Sequence, residues 1–315
     1  MEKKPLRPRA ALGRAPLRRS GGRKVHWTFR FPTLTPYNAP MTAFVKMHGL
    51  GNDFVVFDAR DSALHLPPAR AKAVADRHFG VGCDTVVVIR PGGALSDASL
   101  VFYNADGSNA ESCFNASRCV ARLLLDERGL ARVKLSTPGG MLICSDAGKG
   151  LVMLDMGPPR LDWQQVPVAS AVDTANFPLD IGGASVPASI VSMGNPHCVL
   201  FVPDAEKAPV TSLGPKIETL PFFPKRTNVE FAQVLDQGRI RMRVWERGVG
   251  VTLACGSGAC ATAVAAIRRG LTGRKVELVL DGGSLTIEWR EEDDHVLMTG
   301  PTAMPFRGRL ELDRL

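Results

Sequence analysis

The sequence predicts an α/β (α+β) protein with two pseudo-symmetric domains, each a curved, mostly antiparallel sheet around one central helix. Three observations support this fold class. The 315 residues exceed what one ordinary hydrophobic core organises. Short alternating runs bounded by Gly, Pro, Asp or Asn outnumber helical patterns. The order strands, helix, strands occurs twice, and the helix in each half is apolar nearly all round, as a helix buried inside a sheet must be.

The spacing of the apolar residues predicts the individual elements. Helical spacing predicts helices at residues 68–78, 112–128 and 255–269, with shorter helical turns at 204–207 and 215–219. Alternation between turn residues predicts strands at residues 43–57, 85–89, 100–103, 133–136, 151–156, 189–202, 228–234, 240–245, 275–280, 284–289 and 295–299.

The domain boundaries are predicted from composition. Residues 156–167, MGPPRLDWQQVP, have the Pro- and Gly-containing composition of a crossing between domains. We therefore predict a first domain at residues 41–157 and a second at 158–300. Residues 301–315 are expected to return to the first domain.

Positive charge is concentrated in residues 1–40. This segment holds ten of the 39 Lys and Arg residues and one of the 31 acidic residues, which leaves 29 basic and 30 acidic residues in the body. The body therefore has no basic surface for nucleic acid. The Arg- and Pro-rich segment lacks apolar periodicity and is predicted to be a disordered extension. An organelle presequence or translation upstream of a start at Met41 would explain it, and we favour the second.

The seven cysteines form no CxxC pair and no His/Cys cluster with zinc spacing. We therefore expect no metal ion, and free thiols in a reducing, cytoplasmic compartment. The longest uncharged window, residues 248–267, consists mostly of Gly, Ala, Ser and Thr, so its hydrophobicity is low for a membrane span. A tightly packed buried helix explains this window, and no membrane partner is expected.

Two cysteines stand at the start of the two central helices, Cys113 in AESCFNASRCVARLLLDE and Cys255 in TLACGSGACATAVAAIRR. Unpaired backbone N–H groups and the helix dipole stabilise a thiolate at a helix N-terminus and lower the thiol pKa. Two such thiols predict an acid–base pair that inverts one carbon centre. The other five cysteines are interpreted as inert, as free cysteines usually are.

Five motifs in this order resemble the diaminopimelate epimerase family: FVKMHGLGNDFVVFD, FYNADGSNAESCFNASRCVA, MGNPHCVLFV, RTNVEFAQV and WERGVGVTLACGSGACATA. The resemblance extends from about residue 42 to about residue 307. It implies a cofactor-free isomerase that interconverts LL- and meso-diaminopimelate in lysine and peptidoglycan biosynthesis. It also implies an active site in the cleft between the two domains, and a homodimer.

The same resemblance implies the residues of the site. Cys113 and Cys255 would be the two bases, and His197 has two interpretations that stay open: it polarises a thiol, or it is a hydrogen-bonded histidine at a strand start. Backbone amides after each cysteine would hold the reacting carboxylate. The implied substrate-binding positions are Asn52, Thr85, Asn104, Phe114, Asn115, Asn195, Asn228, Glu246, Arg247, Gly256 and Ser257.

Phe114 departs from the family, which has glycine directly after its first catalytic cysteine. A ring directed into the cleft would crowd the substrate, whereas a ring turned into the core would not. Thr85, Ala116 and Val251 are milder departures. Two alternatives therefore stay beside the epimerase: another cofactor-independent amino-acid racemase, and a binding protein of the same fold impaired by Phe114. A thiol-redox protein is disfavoured because no CxxC pair is present.

Overall fold

The structure is a computed structural model that describes residues 41–315, so the predicted disorder of residues 1–40 lies outside the described residues. Its helices are α1 (Pro68–Ala75), α2 (Phe114–Arg128), α3 (Val210–Glu218) and α4 (Gly256–Arg268), and a 3-10 turn follows at Leu312–Arg314. None of the described helices is long and apolar enough to cross a membrane.

Strands make up most of the remaining structure. In the first half they are β1 (Thr42–Gly49), β2 (Asn52–Asp58), β3 (Thr85–Pro91), β4 (Ala98–Asn104), β5 (Asn109–Ala110), β6 (Arg132–Thr137), β7 (Gly140–Asp146) and β8 (Leu151–Asp155). In the second half they are β9 (Phe177–Ile181), β10 (Ala184–Ser192), β11 (Pro196–Phe201), β12 (Asn228–Asp236), β13 (Arg239–Glu246), β14 (Gly250–Val251), β15 (Lys275–Leu280), β16 (Gly283–Trp289), β17 (Val296–Pro301) and β18 (Ala303–Leu310).

The two halves repeat one pattern of strand pairing. In the first, β1–β2, β3–β4, β6–β7 and β7–β8 are antiparallel, whereas β2–β3 and β4–β6 are parallel. In the second, β10–β11, β12–β13, β15–β16 and β16–β17 are antiparallel, whereas β11–β12 and β13–β15 are parallel. The prediction of a duplicated, mostly antiparallel fold is therefore confirmed.

Two further pairings connect the halves. Strand β8 pairs with β17, so the two sheets share a continuous hydrogen-bonded ladder. Strand β18, from the end of the chain, pairs with β1, just as β9 pairs with β10 in the second half. The described residues, 41–315, belong to one compact unit. The division into domains at residue 157 therefore stays a prediction.

The two central helices are buried because their residues are small or apolar. Every residue of α4 from Gly256 to Ala266 is buried, and Gly, Ala, Ser and Cys dominate this stretch. Helix α2 buries Leu124 and Leu125 in the same hydrophobic core. It ends at Gly129, whose φ of 63° is the left-handed conformation that favours glycine after a helix.

Several boundaries differ from the prediction. The runs predicted at 43–57 and 189–202 are each two strands, because Gly51 and Gly194 have φ of 84° and 100° and reverse the chain inside them. Residues 204–207 form a turn rather than a helix, and the helix predicted at 215–219 begins earlier, at Val210. The strands β5, β7, β9, β14 and β18 were not predicted, since they are short or contain Gly or Pro.

Candidate active site

The repeat places the candidate residues at equivalent positions of the two halves. Cys113 and Cys255 are the N-cap residues of α2 and α4. Thr85 and Asn228 open β3 and β12, the parallel neighbours of β2 and β11. The equivalent pairs are Asn52 and Asn195, Thr85 and Asn228, Asn104 and Glu246, Cys113 and Cys255, and Phe114 and Gly256.

The starts of α2 and α4 lie against each other. A Cβ atom built on Gly256 would be 3.5 Å from Cβ of Phe114. Nδ2 of Asn115 donates to the carbonyl oxygen of Ala254 at 3.2 Å, which links the two halves directly. Since Phe114 and Gly256 each follow a cysteine, the fold brings the two thiol-bearing helix ends to one place.

Cys113 is half-buried among polar groups of the first half. Its Sγ lies 3.9 Å from Oδ1 of Asn52, and Nδ2 of Asn115 donates to the same oxygen at 3.3 Å. Burial raises the pKa of the Cys113 thiol to about 11, although the Ala116 amide and the Thr85 side chain oppose this by hydrogen bonding. Thr85 therefore belongs to the surroundings of the thiol.

Cys255 is more deeply buried. The backbone N–H of Gly258 donates to its Sγ at 3.4 Å, and Oγ of Ser257 lies 3.6 Å from the same sulfur. Burial raises the pKa of the Cys255 thiol well above its ordinary value, and the carboxylates of Glu246 and Glu230 raise it further. Cys255 in turn acts to lower the pKa of the Glu246 carboxyl group, against the larger effect of burial.

The expected lowering of the thiol pKa at a helix N-terminus is outweighed here. The helix amides do act in the expected direction, since those of Ala116 and Gly258 favour the two thiolates. Desolvation is the larger effect at both thiols, at half-buried Cys113 as well as at buried Cys255, and it favours the uncharged thiol. The expectation of a lowered pKa for these two thiols is therefore wrong.

A fully buried polar pair lies behind Cys255. Nδ1 of His197 is 2.6 Å from Oε1 of Glu230, and both side chains are inaccessible to solvent. Nε2 of His197 is 3.0 Å from Oδ1 of Asn195, whose Nδ2 donates to Oγ of Ser257 at 3.3 Å. His197 is thus hydrogen-bonded at the start of β11, and it is also connected to the surroundings of a thiol.

Asn52 is held from the outer side of the first half. Its Nδ2 donates to Oδ2 of Asp84 at 2.9 Å, which turns Oδ1 toward Cys113. Asp84 is itself bonded by Arg77 at 2.7 Å. The backbone N–H of Asp53 also donates to Oδ2 of Asp84, at 3.1 Å.

The remaining second-half candidates surround Asn228. Its Nδ2 donates to the carbonyl oxygen of Pro196 at 2.9 Å, and its Oδ1 accepts from the backbone N–H of Arg247 at 2.9 Å. The Arg247 side chain is exposed and reaches the carbonyl oxygen of Lys225 at 3.2 Å. Glu246 is half-buried, and burial raises the pKa of its carboxyl group, opposed by a hydrogen bond from Thr252.

Asn104 and Phe114 complete the predicted set. Asn104 is exposed at the end of β4, opposite Thr85, and its Nδ2 donates to Oγ of Ser108 at 3.0 Å. Phe114 is half-buried and packs against the main hydrophobic core. Its Cβ also faces the Gly256 position across the two helix starts, so Phe114 borders both the core and the space between the two cysteines.

Comparison with known proteins identifies the same family that the sequence motifs resemble. The family model for diaminopimelate epimerase matches residues 44–161 and 189–305. The diaminopimelate epimerase of Rhodospirillum centenum is 54% identical over 268 residues, which cover 85% of this chain and 91% of the relative. The chain belongs to the diaminopimelate epimerase family. The predictions of this family, of its epimerase function and of an isomerase are thereby confirmed.

Other similarities agree with membership of the diaminopimelate epimerase family. The diaminopimelate epimerase of Acidiphilium cryptum is 50% identical over 269 residues, covering 85% of this chain and 96% of the relative. Among solved structures, a hydroxyproline epimerase from Agrobacterium vitis matches with a TM-score of 0.62 and 16% identity, over 86% of this chain and 92% of that one. At that identity the structural match shows a shared fold.

Sequence reasoning missed two carboxylates of this diaminopimelate epimerase family site. Glu230 stands in the otherwise apolar run of β12, and Asp84 precedes β3. A lone acid inside a buried strand was the available signal for Glu230, since such groups are rarely buried without a partner. Among residues 41–315, no group of three or more His, Cys, Asp and Glu side chains is arranged to hold a metal ion.

Proposed function

We propose that this protein interconverts LL- and meso-diaminopimelate by proton transfer between Cys113, the substrate α-carbon and Cys255. One observation supports this most strongly. The two cysteines cap α2 and α4, and the residues that follow them, Phe114 and Gly256, lie against each other across the two halves. A carbon atom held between the two helix ends would have one sulfur on each face.

The reaction needs one thiolate and one thiol. The thiolate takes the α-proton and becomes a thiol, which leaves the electron pair on the α-carbon and the substrate carboxylate. The thiol on the opposite face then gives its proton to that carbon and becomes a thiolate. The configuration is inverted, and the two cysteines have exchanged protonation states, ready for the reverse reaction.

Stabilisation of the carboxylate is assigned to the two helix N-termini. The first backbone N–H groups of α2 and α4 have no partner within their helices, and the helix dipoles favour negative charge there. Those of Phe114, Asn115, Gly256 and Ser257 would bind the oxygens on which charge develops. Such preorganised donors stabilise the transition state more than the ground state.

The raised thiol pKa values have a consequence for this reaction. Burial keeps both thiols protonated in the substrate-free protein near neutral pH. The ammonium group of a bound amino acid brings a positive charge into the site, which favours the thiolate that the reaction needs. Binding of the substrate thereby activates its own base.

The distal end of diaminopimelate is a second amino-acid group. Asn104, Asn228, Glu246 and Arg247 are proposed to bind it, because amides, a carboxylate and a guanidinium pair with ammonium and carboxylate groups. Arg247 is exposed, so its side chain is free to move from the Lys225 carbonyl onto a carboxylate. A ligand that lacks the distal group would leave these polar groups unpaired.

Exchange of the substrate α-proton in D₂O tests the reaction. We expect the reduced wild-type protein to exchange the α-proton and to interconvert the two isomers. Cys113→Ala and Cys255→Ala should each abolish interconversion, because each removes one of the two proton carriers. Binding without exchange in the wild type would favour a silent binding protein. Turnover of a different amino acid, with none of diaminopimelate, would favour another racemase.

The setting of the reaction is part of the same proposal. We place the protein in the cytoplasm, because seven free thiols fit a reducing compartment. Its family supports a place in lysine and peptidoglycan biosynthesis. We also propose a homodimer, supported by exposed Met41, Met304 and Phe306 on and beside β1 and β18. Light scattering would test the dimer, and a monomer at micromolar concentration would contradict it.

A further inference from the structure

The two halves differ in one buried place. His197 and Glu230, which neighbour each other on the parallel strands β11 and β12, correspond to Phe54 and Val87 on β2 and β3. All four side chains are fully buried. An apolar pair therefore suffices to pack this position in the first half. The polar pair of the second half needs another explanation, because burying polar groups costs free energy.

The polar pair is the inner end of a continuous chain of contacts. From Glu230 the chain runs through His197 and Asn195 to Ser257, with separations of 2.6, 3.0 and 3.3 Å. Oγ of Ser257 then lies 3.6 Å from Sγ of Cys255. The imidazole of His197 and the hydroxyl of Ser257 can each donate or accept, whereas the amide of Asn195 has one donor and one acceptor atom, so Asn195 fixes the direction of the hydrogen bonds.

Asn195 sets the direction of the hydrogen bonds along this chain of contacts. Its Oδ1 faces Nε2 of His197, and an amide oxygen only accepts, so Nε2 carries a proton. Its Nδ2 then donates to Oγ of Ser257. The hydroxyl of Ser257 has one proton, which is left to point at Cys255. A hydroxyl that donates to sulfur stabilises the thiolate by a charge-assisted hydrogen bond.

Glu230 accounts for the proton on Nε2. If the buried pair held only one proton, it would lie between Nδ1 of His197 and Glu230, and the pair would carry an uncompensated negative charge. With two protons the pair is neutral, which burial favours, and Nε2 keeps its hydrogen. Without that hydrogen the amide of Asn195 would turn over, its oxygen would accept from Ser257, and Cys255 would lose its donor.

We propose that Glu230 is a positioning residue that acts through His197 and Asn195 to direct the hydroxyl of Ser257 at Cys255. The equivalent asparagine of the first half is held differently, since Asn52 is bonded by Asp84 from outside the core. The inference rests on the proposed role of Cys255 as a proton carrier. Its tests, however, measure thiol alkylation and histidine protonation in the protein without substrate, so their outcomes do not depend on whether the protein turns over diaminopimelate.

The first test places the apolar residue pair of the first half at the equivalent position of the second half. The double variant His197→Phe with Glu230→Val installs the pair found at the equivalent position, and apolar replacement of a buried polar pair is often neutral for stability. Alkylation by iodoacetamide, followed by mass spectrometry of the two peptides, compares Cys255 with Cys113 in the same molecule. We expect Cys255 to react about 10- to 100-fold more slowly relative to Cys113.

Whether alkylation of Cys255 becomes slower or faster relative to Cys113 decides between the proposal and a simple effect of charge. Removal of a carboxylate charge alone would favour the thiolate of Cys255 and speed its alkylation, so unchanged or faster alkylation would overturn the proposal. Cys198→Val is the matched control, because Cys198 is a neighbouring buried residue of β11 in a different hydrophobic cluster. It should leave the ratio of the two alkylation rates unchanged.

A second variant covers the case in which the double variant fails to fold. Ser257→Ala removes the hydroxyl that donates to Cys255 and leaves the buried pair intact. It should slow alkylation of Cys255 as the double variant does, and an unchanged rate would overturn the proposal. In the wild type, ¹⁵N NMR should show His197 protonated at Nε2. An unprotonated Nε2 would also overturn it.

Discussion

Glu230 and Cys255 both lie against the position that a side chain of Gly258 would occupy. A Cβ atom at Gly258 would be 2.7 Å from Oε1 of Glu230 and 3.2 Å from Sγ of Cys255. The first turn of α4 therefore approaches the buried carboxylate closely only because residue 258 has no side chain. The equivalent residue of α2 is Ala116, and Val87, which belongs to the same hydrophobic core, stands at the position equivalent to Glu230.

Gly258→Ala should lower both stability and activity. The added methyl group forces Glu230 or the start of α4 to move, and such overpacking typically costs about 1–3 kcal/mol of unfolding free energy. Urea unfolding and steady-state kinetics measure the two effects. In the His197→Phe, Glu230→Val background the stability cost of Gly258→Ala should be smaller, as the first half tolerates alanine there. An equal cost in both backgrounds would contradict this explanation.

Phe114→Gly should raise kcat/KM for diaminopimelate. Phe114 faces Gly256 across the two helix starts, and glycine there would widen the space between them. Loss of the half-buried ring and the higher chain entropy of glycine should lower the unfolding free energy by about 1–3 kcal/mol. Phe79→Gly, at an 88% exposed position, is the control. Equal or lower kcat/KM in Phe114→Gly would show that the ring does not obstruct the substrate.

Alkylation of Cys113 should accelerate steadily with pH. Burial raises the pKa of this thiol to about 11, so the thiolate fraction should grow about tenfold per pH unit between pH 7 and 9. Iodoacetamide labelling of the substrate-free protein measures the rate. The urea-unfolded protein is the control, and its rate should level off near pH 9. A plateau of the folded protein below pH 9 would mean that the helix N-terminus outweighs burial.

Asp84→Ala should lower kcat/KM by about tenfold. Without Asp84, the amide of Asn52 loses the acceptor that turns its Oδ1 toward Cys113. Arg77→Leu is the matched control, because it removes a largely exposed charge and leaves the bond between Asp84 and Asn52 in place. Its activity should stay within about twofold of the wild type, since exposed ion pairs contribute little. Equal losses in both variants would assign the effect to the charge network instead.

The duplicated architecture and the two central helices could be predicted from the sequence. Long apolar patterns such as those of α2 and α4 are strong signals, because burial of many residues in a row leaves no polar face. The hairpins were harder to predict. In residues 43–57 and 189–202, a turn of two or three residues that contains Gly51 or Gly194 reverses the chain inside an otherwise uniform run, and local alternation does not register so short a turn.

The candidate site was predicted unevenly. Cys113, Cys255 and the asparagines stand in motifs that sequence comparison recognises, and the fold brings several of them together around the two helix starts. Glu230 was missed because its role depends on a neighbouring strand. His197 is its partner through the parallel pairing of β11 and β12, and no sequence spacing encodes that contact.

By itself, the sequence determined the family, through five motifs that resemble it, and the repeat and the two helix-start thiols, which follow from local residue order and periodicity. The tertiary structure decided how each thiol is held. Burial, which depends on everything packed around the sulfur, reverses the lowering of the thiol pKa expected at a helix N-terminus. The tertiary structure also decided that the two halves hold their thiols in different surroundings. Phe54 and His197 occupy equivalent positions, yet only His197 has a buried glutamate beside it.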